Sequence, residues 1–165
     1  MLALIAVFVA TISAGIDAQH ALARQQAAMA AAATTGSSVA TLSIPRLHFD
    51  GLAHQGVGAP VLAHGPGHYP SSAFPGQPGT TAFAGHRVTH THPFLEINLL
   101  RRGDVITVTT GWGRFRYRVY REQIVSPTDV SVLRNAGFQQ LVLTACHPPH
   151  TALKRYVVFA RRIAG

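Results

Sequence analysis

The sequence predicts a mainly β protein, an antiparallel or mixed barrel or sandwich, preceded by a membrane-directed helix. Three observations carry this expectation. Seven or eight short runs rich in Val, Ile, Thr, Phe and Tyr recur between residues 41 and 163, dense Gly and Pro turns separate them, and one run alternates strictly. At 165 residues, 47% of them hydrophobic, the chain has room for one domain with a real core. Lys and Arg number 14 against 6 acids, giving a net charge of +8 with His neutral. That charge draws the molecule toward polyanions such as nucleic acid, wall polymers or anionic lipid without choosing among them.

Taken in order, residues 1–16 are apolar apart from Thr11 and Ser13, slightly short of the roughly 20 residues that cross a bilayer core. The segment reads as an anchor or as a cleaved signal with Ala21-Leu22-Ala23 as the small-residue site; a core helix is the third alternative. No Lys or Arg precedes it, so an anchor here would extend beyond the recorded start. Residues 17–40 are an alanine-rich helical stalk that breaks at Thr34-Thr35-Gly36-Ser37-Ser38, a hinge by composition. The folded domain begins near Val39 and occupies residues 41–165.

Thr41-Leu42-Ser43-Ile44 alternates as a strand and stops at Pro45; Leu47 to Phe49 resumes it. Residues 56–80 are loop-like, with one strand expected at Val61-Leu62-Ala63. Thr80-Thr81-Ala82-Phe83-Ala84 is a strand that runs into Gly85-His86-Arg87, and residues 95–100 form a helical turn or two. Val105 to Thr109 is a β-branched strand joined through Gly111-Trp112-Gly113 to the next. There Phe115, Tyr117 and Val119 occupy one face and Arg114, Arg116 and Arg118 the other, the mark of a half-buried strand. Ile124 and Val125 extend it, residues 130–133 make one helical turn, and two final strands end at Cys146 and Ile163.

The chemistry gathers at the last two strands. Cys146 is the only cysteine, so it has no internal disulfide partner; a free cysteine is commonly just a small buried hydrophobe. This one follows Leu141-Val142-Leu143 and two small residues and precedes Pro148 and Pro149, so it stands where a strand ends. His86 also lies just past a strand end. A thiol, with an ordinary pKa of about 8.5, needs a base or cation to hold its proton away. Arg155 opens the following strand and offers a planar fork of donors to a carbonyl oxygen becoming an oxyanion. A Cys, His and Arg set serves acyl transfer, and no carboxylate is placed to orient the histidine as in a papain-like triad.

Three ordered motifs resemble the sortases, the cysteine transpeptidases of Gram-positive bacterial surfaces. Gly65-Pro66-Gly67-His68-Tyr69-Pro70, Pro75-Gly76-Gln77-Pro78-Gly79-Thr80 and Ala84-Gly85-His86-Arg87 look like the approach to the family's histidine. Leu143-Thr144-Ala145-Cys146-His147-Pro148 with Arg155 looks like its cysteine and arginine region, most similar to the class E sortases of actinobacteria with class D as neighbour. The resemblance covers residues 41–163. It implies a closed eight-stranded β-barrel held outside the cell membrane by a single N-terminal span, with His86, Cys146 and Arg155 catalytic. Cys146 would cleave a Leu-Pro-x-Thr-Gly or Leu-Ala-x-Thr-Gly sorting signal after threonine through a thioacyl intermediate. An amine of a cell-wall precursor or a pilin would then receive the acyl group. Surface proteins with such signals are the implied partners, and no cofactor, metal or nucleic acid is expected. Two departures stand out. Ala145 replaces the usual Thr or Ser before the cysteine, removing a hydroxyl that helps the oxyanion. His90 stands about where class E proteins carry a tyrosine, so His90 and Thr144 are the expected substrate-binding residues.

Two other readings use the same residues. His86, His90 and His92 have ligand-like spacing, and Cys146, His147 and His150 can extend the set into a zinc site, although no Glu or Asp sits beside them as a general base. Arg114, Arg116, Arg118, Arg161 and Arg162 would serve a basic surface-binding module, although Phe115 and Tyr117 point away from that face and cannot stack on bases.

Overall fold

A computed structural model describes the backbone of residues 2–164 and the side chains of residues 14 and 16–164. It contains strands β1 (Ser38–Ile44), β2 (Phe49–Gln55), β3 (Gly67–His68), β4 (Thr80–Ala84), β5 (Val105–Thr110), β6 (Gly113–Val125), β7 (Gln140–His147) and β8 (Lys154–Ile163). They close into one barrel in the order β1-β2-β3-β4-β7-β8-β6-β5, which is the eight-stranded closure that the resemblance implies. Neighbours run antiparallel except β2 with β3 and β4 with β7, which are parallel. The second exception matters most. Parallel pairing with Ala84 opposite Thr144 brings the outgoing ends of β4 and β7 to the same lip.

Side-chain alternation divides the barrel into an inside and an outside. Leu42, Ile44, Phe83, Ile106, Val108, Tyr117, Val119, Leu141, Leu143, Ala145, Val158 and Ala160 belong to the inner core. On β4, β7 and β8 the alternate residues Ala82, Val142, Val157 and Phe159 are buried as well, in an outer cluster with Val125 under Tyr69, Tyr120, Val132 and Leu133. These three strands are therefore covered on both faces, which explains their nearly continuous apolar sequence. By contrast β6 buries one face: Tyr117 and Val119 are buried and Arg114, Arg116 and Arg118 exposed, as the alternation predicts. A register shift between Val119 and Arg121 bends β6. Beyond it the Arg121 guanidinium lies 4.1 Å from the centre of the Phe159 ring.

The hairpin at Gly111-Trp112 forms as expected, with Thr110 opposite Gly113, and so do the turns at Ile97–Leu99 and Val130–Leu133. Three local expectations need correction. Val61-Leu62-Ala63 is not a strand; Ala59–Leu62 is one turn of helix, α2, because Pro60 sits in its first turn after an extended Gly58. The strand expected to resume at Leu47 resumes at Phe49, since Pro45–Leu47 is a 3-10 turn closed by His48 at φ 48°. It then runs to Gln55 through Asp50-Gly51, a pair that reads as a turn in isolation. Finally, β3 is only two residues long and carries no periodicity to detect. Its Gly67 has no alternative, because a Cβ there would lie 2.1 Å from the Gly56 carbonyl oxygen.

A helix, α1, covers Leu2–Ala32. Its last turn docks on the barrel: Ala32 is buried in the inner core, and the Gln77 amide contacts the Met29 sulfur at 3.7 Å. Past it the Gly36 N–H donates to the Gln55 carbonyl and the Gln55 N–H to the Ser37 carbonyl, each at 2.8 Å. Of the expected anchor, residues 1–16, Met1 and the side chains of residues 2–13 and 15 lie outside the described part of the chain. Among the described residues no helix is long and apolar enough to cross a membrane.

Candidate active site

The topology assembles the three residues that sequence chemistry selects. On β7 the inner positions are Leu141, Leu143 and Ala145, so Val142, Thr144 and Cys146 face outward. Antiparallel pairing of β7 with β8 sets Cys146 opposite Arg155. From β4 the chain leaves the sheet at Ala84; the Gly85 N–H donates to the Thr144 carbonyl at 3.0 Å, the last rung of that ladder. His86 follows at once. Gly85 packs so closely on Phe94 that a Cβ would meet its ring at 2.5 Å, which fixes the path of the chain into His86.

His86, Cys146 and Arg155 line one cavity of about 280 Å3, with Val57, Leu62, Tyr69, Ala84, Gly85 and Thr144 among its other walls. Cys146 is half-buried and free. The His86 Nε2 atom is buried and has no protein partner among the described residues, a costly condition for a ring nitrogen unless a ligand or substrate group meets it. The ring stacks on His90 with centroids 4.7 Å apart and planes 21° from parallel. Burial, and then the neighbouring His90, hold the His86 pKa below its ordinary value. Arg155 is steadied by its own loop, one Nη donating to the carbonyls of Ala152 at 3.1 Å and Lys154 at 3.0 Å. Its other N–H groups make no protein hydrogen bond among the described residues.

The expected substrate-binding residues separate. Thr144 lines the cavity and its hydroxyl is 3.0 Å from the Tyr69 hydroxyl. His90 is exposed, reaches the site only through its stack on His86, and takes a positive φ of 54°. Ala145 also changes meaning. Its side chain is buried in the inner core, and the residue also contributes to the lining of the cavity beside Cys146.

Sequence reasoning missed the apolar wall made by Val57 and Leu62, hidden in a loop and in a turn taken for a strand. Tyr69 was visible only as part of a motif. Among the described residues no group of three or more His, Cys, Asp or Glu is placed to hold a metal ion. His147 Nδ1 instead lies 2.9 Å from an Arg87 Nη, and His92 Nδ1 bonds the His90 carbonyl at 3.1 Å. The arginines of the basic face partly cover rings: Arg161 lies 3.9 Å from the Phe138 centroid and Arg162 5.3 Å from that of Phe115.

Comparison with known proteins agrees with this geometry. Residues 42–163 match the model of the sortase domain. Sortase D of Bacillus subtilis is 30% identical over 133 residues, covering 78% of this chain and 66% of that protein. Sortase SrtE1 of Streptomyces coelicolor is 34% identical over 147 residues, covering 78% of this chain and 41% of that one. The chain thus spans less than two thirds of the length of these relatives. The structure of sortase E from Streptomyces avermitilis superposes with a TM-score of 0.72 at 33% identity, covering 79% of this chain and 91% of that one. With the closed barrel, the ordered histidine, cysteine and arginine, and a family match over most of its length, this chain belongs to the sortase family of cysteine transpeptidases.

Proposed function

We propose that the protein is a membrane-anchored sortase whose residues 1–16 hold the catalytic domain outside the cell membrane and whose Cys146 transfers surface proteins to an amine. The observation that carries this reading is the convergence of His86, Cys146 and Arg155 on one cavity. The Cys146 thiolate attacks the carbonyl carbon of threonine in a Leu-Pro-x-Thr-Gly or Leu-Ala-x-Thr-Gly signal. Arg155 donates to the oxyanion as it forms, and the Thr–Gly amide bond then breaks. His86 gives its proton to the departing glycine amine. An amine of a cell-wall precursor or of a pilin attacks the thioester, His86 takes up the proton, and the thiolate leaves. The test is incubation with a labelled signal peptide, comparing the wild type with Cys146→Ala. A thioester at residue 146 that disappears in the variant supports the reading, and peptide cleavage that persists in the variant refutes it.

Two further results follow from the site. Arg155→Ala should lower kcat/KM by about 10²- to 10³-fold, the loss typical of an oxyanion donor. Arg155→Lys should fall between, because an ammonium keeps the charge and loses the fork. The second result concerns pH. The productive form pairs protonated His86 with the Cys146 thiolate. Burial and His90 push the His86 pKa down from its ordinary 6.5, so the limb of the kcat/KM profile that reports His86 should lie below that pH. His90→Ala removes both the cover and the repulsion, so the limb should move upward. His92→Ala should leave it in place, because that ring bonds the backbone of the exposed loop.

A further inference from the structure

Arg87 follows the proposed acid–base residue and is only 5% exposed. Among the described residues no carboxylate pairs with it. Taking a guanidinium out of water without a counterion costs stability, so an unpaired one kept at this position calls for a role. Its partners are neutral groups from two elements. Nε donates to the Leu95 carbonyl at 3.2 Å, Nη2 to the Asn98 side-chain oxygen, and Nη1 to the Cys146 carbonyl at 3.4 Å and to His147 Nδ1 at 2.9 Å.

The placement of these bonds is informative. The backbone ladder between β4 and β7 ends at the bond from the Gly85 N–H to the Thr144 carbonyl. One residue beyond Gly85 and two beyond Thr144 stand His86 and Cys146, lining the cavity. The next residue on each chain is Arg87 and His147, and these two are joined by their side chains. The pairing of the two chain ends is therefore carried past the last rung by a side-chain bond directly behind the reacting groups. The His147 ring lies beside Tyr156, centroids 5.8 Å apart, and the Arg87 guanidinium lies 5.9 Å from the same Tyr156 ring. Arginine has no acceptor, so His147 Nδ1 must be bare and its proton must sit on Nε2.

We propose that Arg87 and His147 form a clamp that locks the ends of β4 and β7 together and so sets the approach of His86 to the Cys146 sulfur. Both are positioning residues. The histidine beside the nucleophile is then an acceptor for a buried cation, and not a second acid or base. The inference rests on the transpeptidase reading for its kinetic consequence, while the clamp itself can be tested apart from activity.

The experiment compares His147→Leu, His147→Asn, Arg87→Gln and the double variant Arg87→Gln with His147→Leu, using full-length protein and a signal peptide. Rates are normalised to the fraction of enzyme that forms thioester, so that partial misfolding does not count as lost catalysis. His147→Leu should lower kcat about 10- to 100-fold, the scale expected of sub-ångström to ångström misplacement, with KM changed less than twofold. The asparagine oxygen occupies the place of Nδ1, so His147→Asn should recover most of the loss. The double variant should be no slower than Arg87→Gln alone. Wild-type kcat in His147→Leu, equal losses in the Asn and Leu variants, or additive losses in the double variant would each overturn the clamp. Nitrogen-15 NMR of the His147 ring supplies the independent reading: the Nε2–H tautomer supports the clamp and the Nδ1–H tautomer overturns it. A wild type that forms no thioester would sink the transpeptidase reading and leave the NMR result to decide the clamp.

Discussion

Cys146→Ala is expected to lower signal-peptide turnover by on the order of 10⁴- to 10⁶-fold, the scale seen when a nucleophile that works as part of a unit is removed. No labelled protein adduct should survive denaturation. The expectation is this large because nothing else in the cavity can replace the sulfur. Thr144 is the nearest hydroxyl on the same face of β7, but it is engaged with Tyr69, and a neutral hydroxyl needs a base that is not aimed at it. The fold should not suffer, because Cys146 is half-buried at a strand end and its sulfur has no disulfide partner. Mass spectrometry of the acid-quenched reaction separates loss of chemistry from loss of folding, since the folded variant should still bind the peptide without forming the thioester.

His86→Ala should cost about 10²- to 10⁴-fold, the usual value of a positioned acid–base group. This loss has an internal control. A signal peptide in which the glycine amide is replaced by an ester leaving group needs no proton to depart, so it should restore much of the acylation rate in His86→Ala and none in Cys146→Ala. Equal rescue of both variants, or of neither, would remove His86 from the role of leaving-group acid. The unpartnered Nε2 atom is the structural reason for choosing this ring over the other histidines. His68, by contrast, is fully buried with Nδ1 2.8 Å from Gln55 Oε1 and Nε2 3.0 Å from the Ala73 carbonyl.

The β class, most strands and the three chemical side chains were legible in the sequence because alternation and strand ends are local signals. Arg114 to Val119 needs no neighbour to show which face is wet. What stayed illegible depends on contacts made at a distance. A two-residue strand such as Gly67–His68 is defined by its partners, His54 to Gln55 on one side and Phe83 to Ala84 on the other. Val61 to Ala63 has strand-like residues, and only Pro60 after Gly58 decides for a helical turn. Ala145 could be read from the sequence only as the residue before Cys146, and its place in both the core and the cavity wall depends on the closed barrel. Arg87 was visible as the residue after His86, and its bonds to Cys146 and His147 could not be read from one chain segment.

The parallel pairing of β4 with β7 also has a consequence for the order in which the molecule is made. Thr80 pairs with Gln140 and Ala84 with Thr144, so the chain must close a long loop before His86 and Cys146 meet. Such non-local pairing forms late, because loop entropy opposes it until the intervening strands are in place. A nascent or half-folded chain therefore carries an isolated thiol with neither its histidine nor its cavity. Acyl-transfer activity would switch on only with barrel closure, which keeps the reactive centre silent during synthesis.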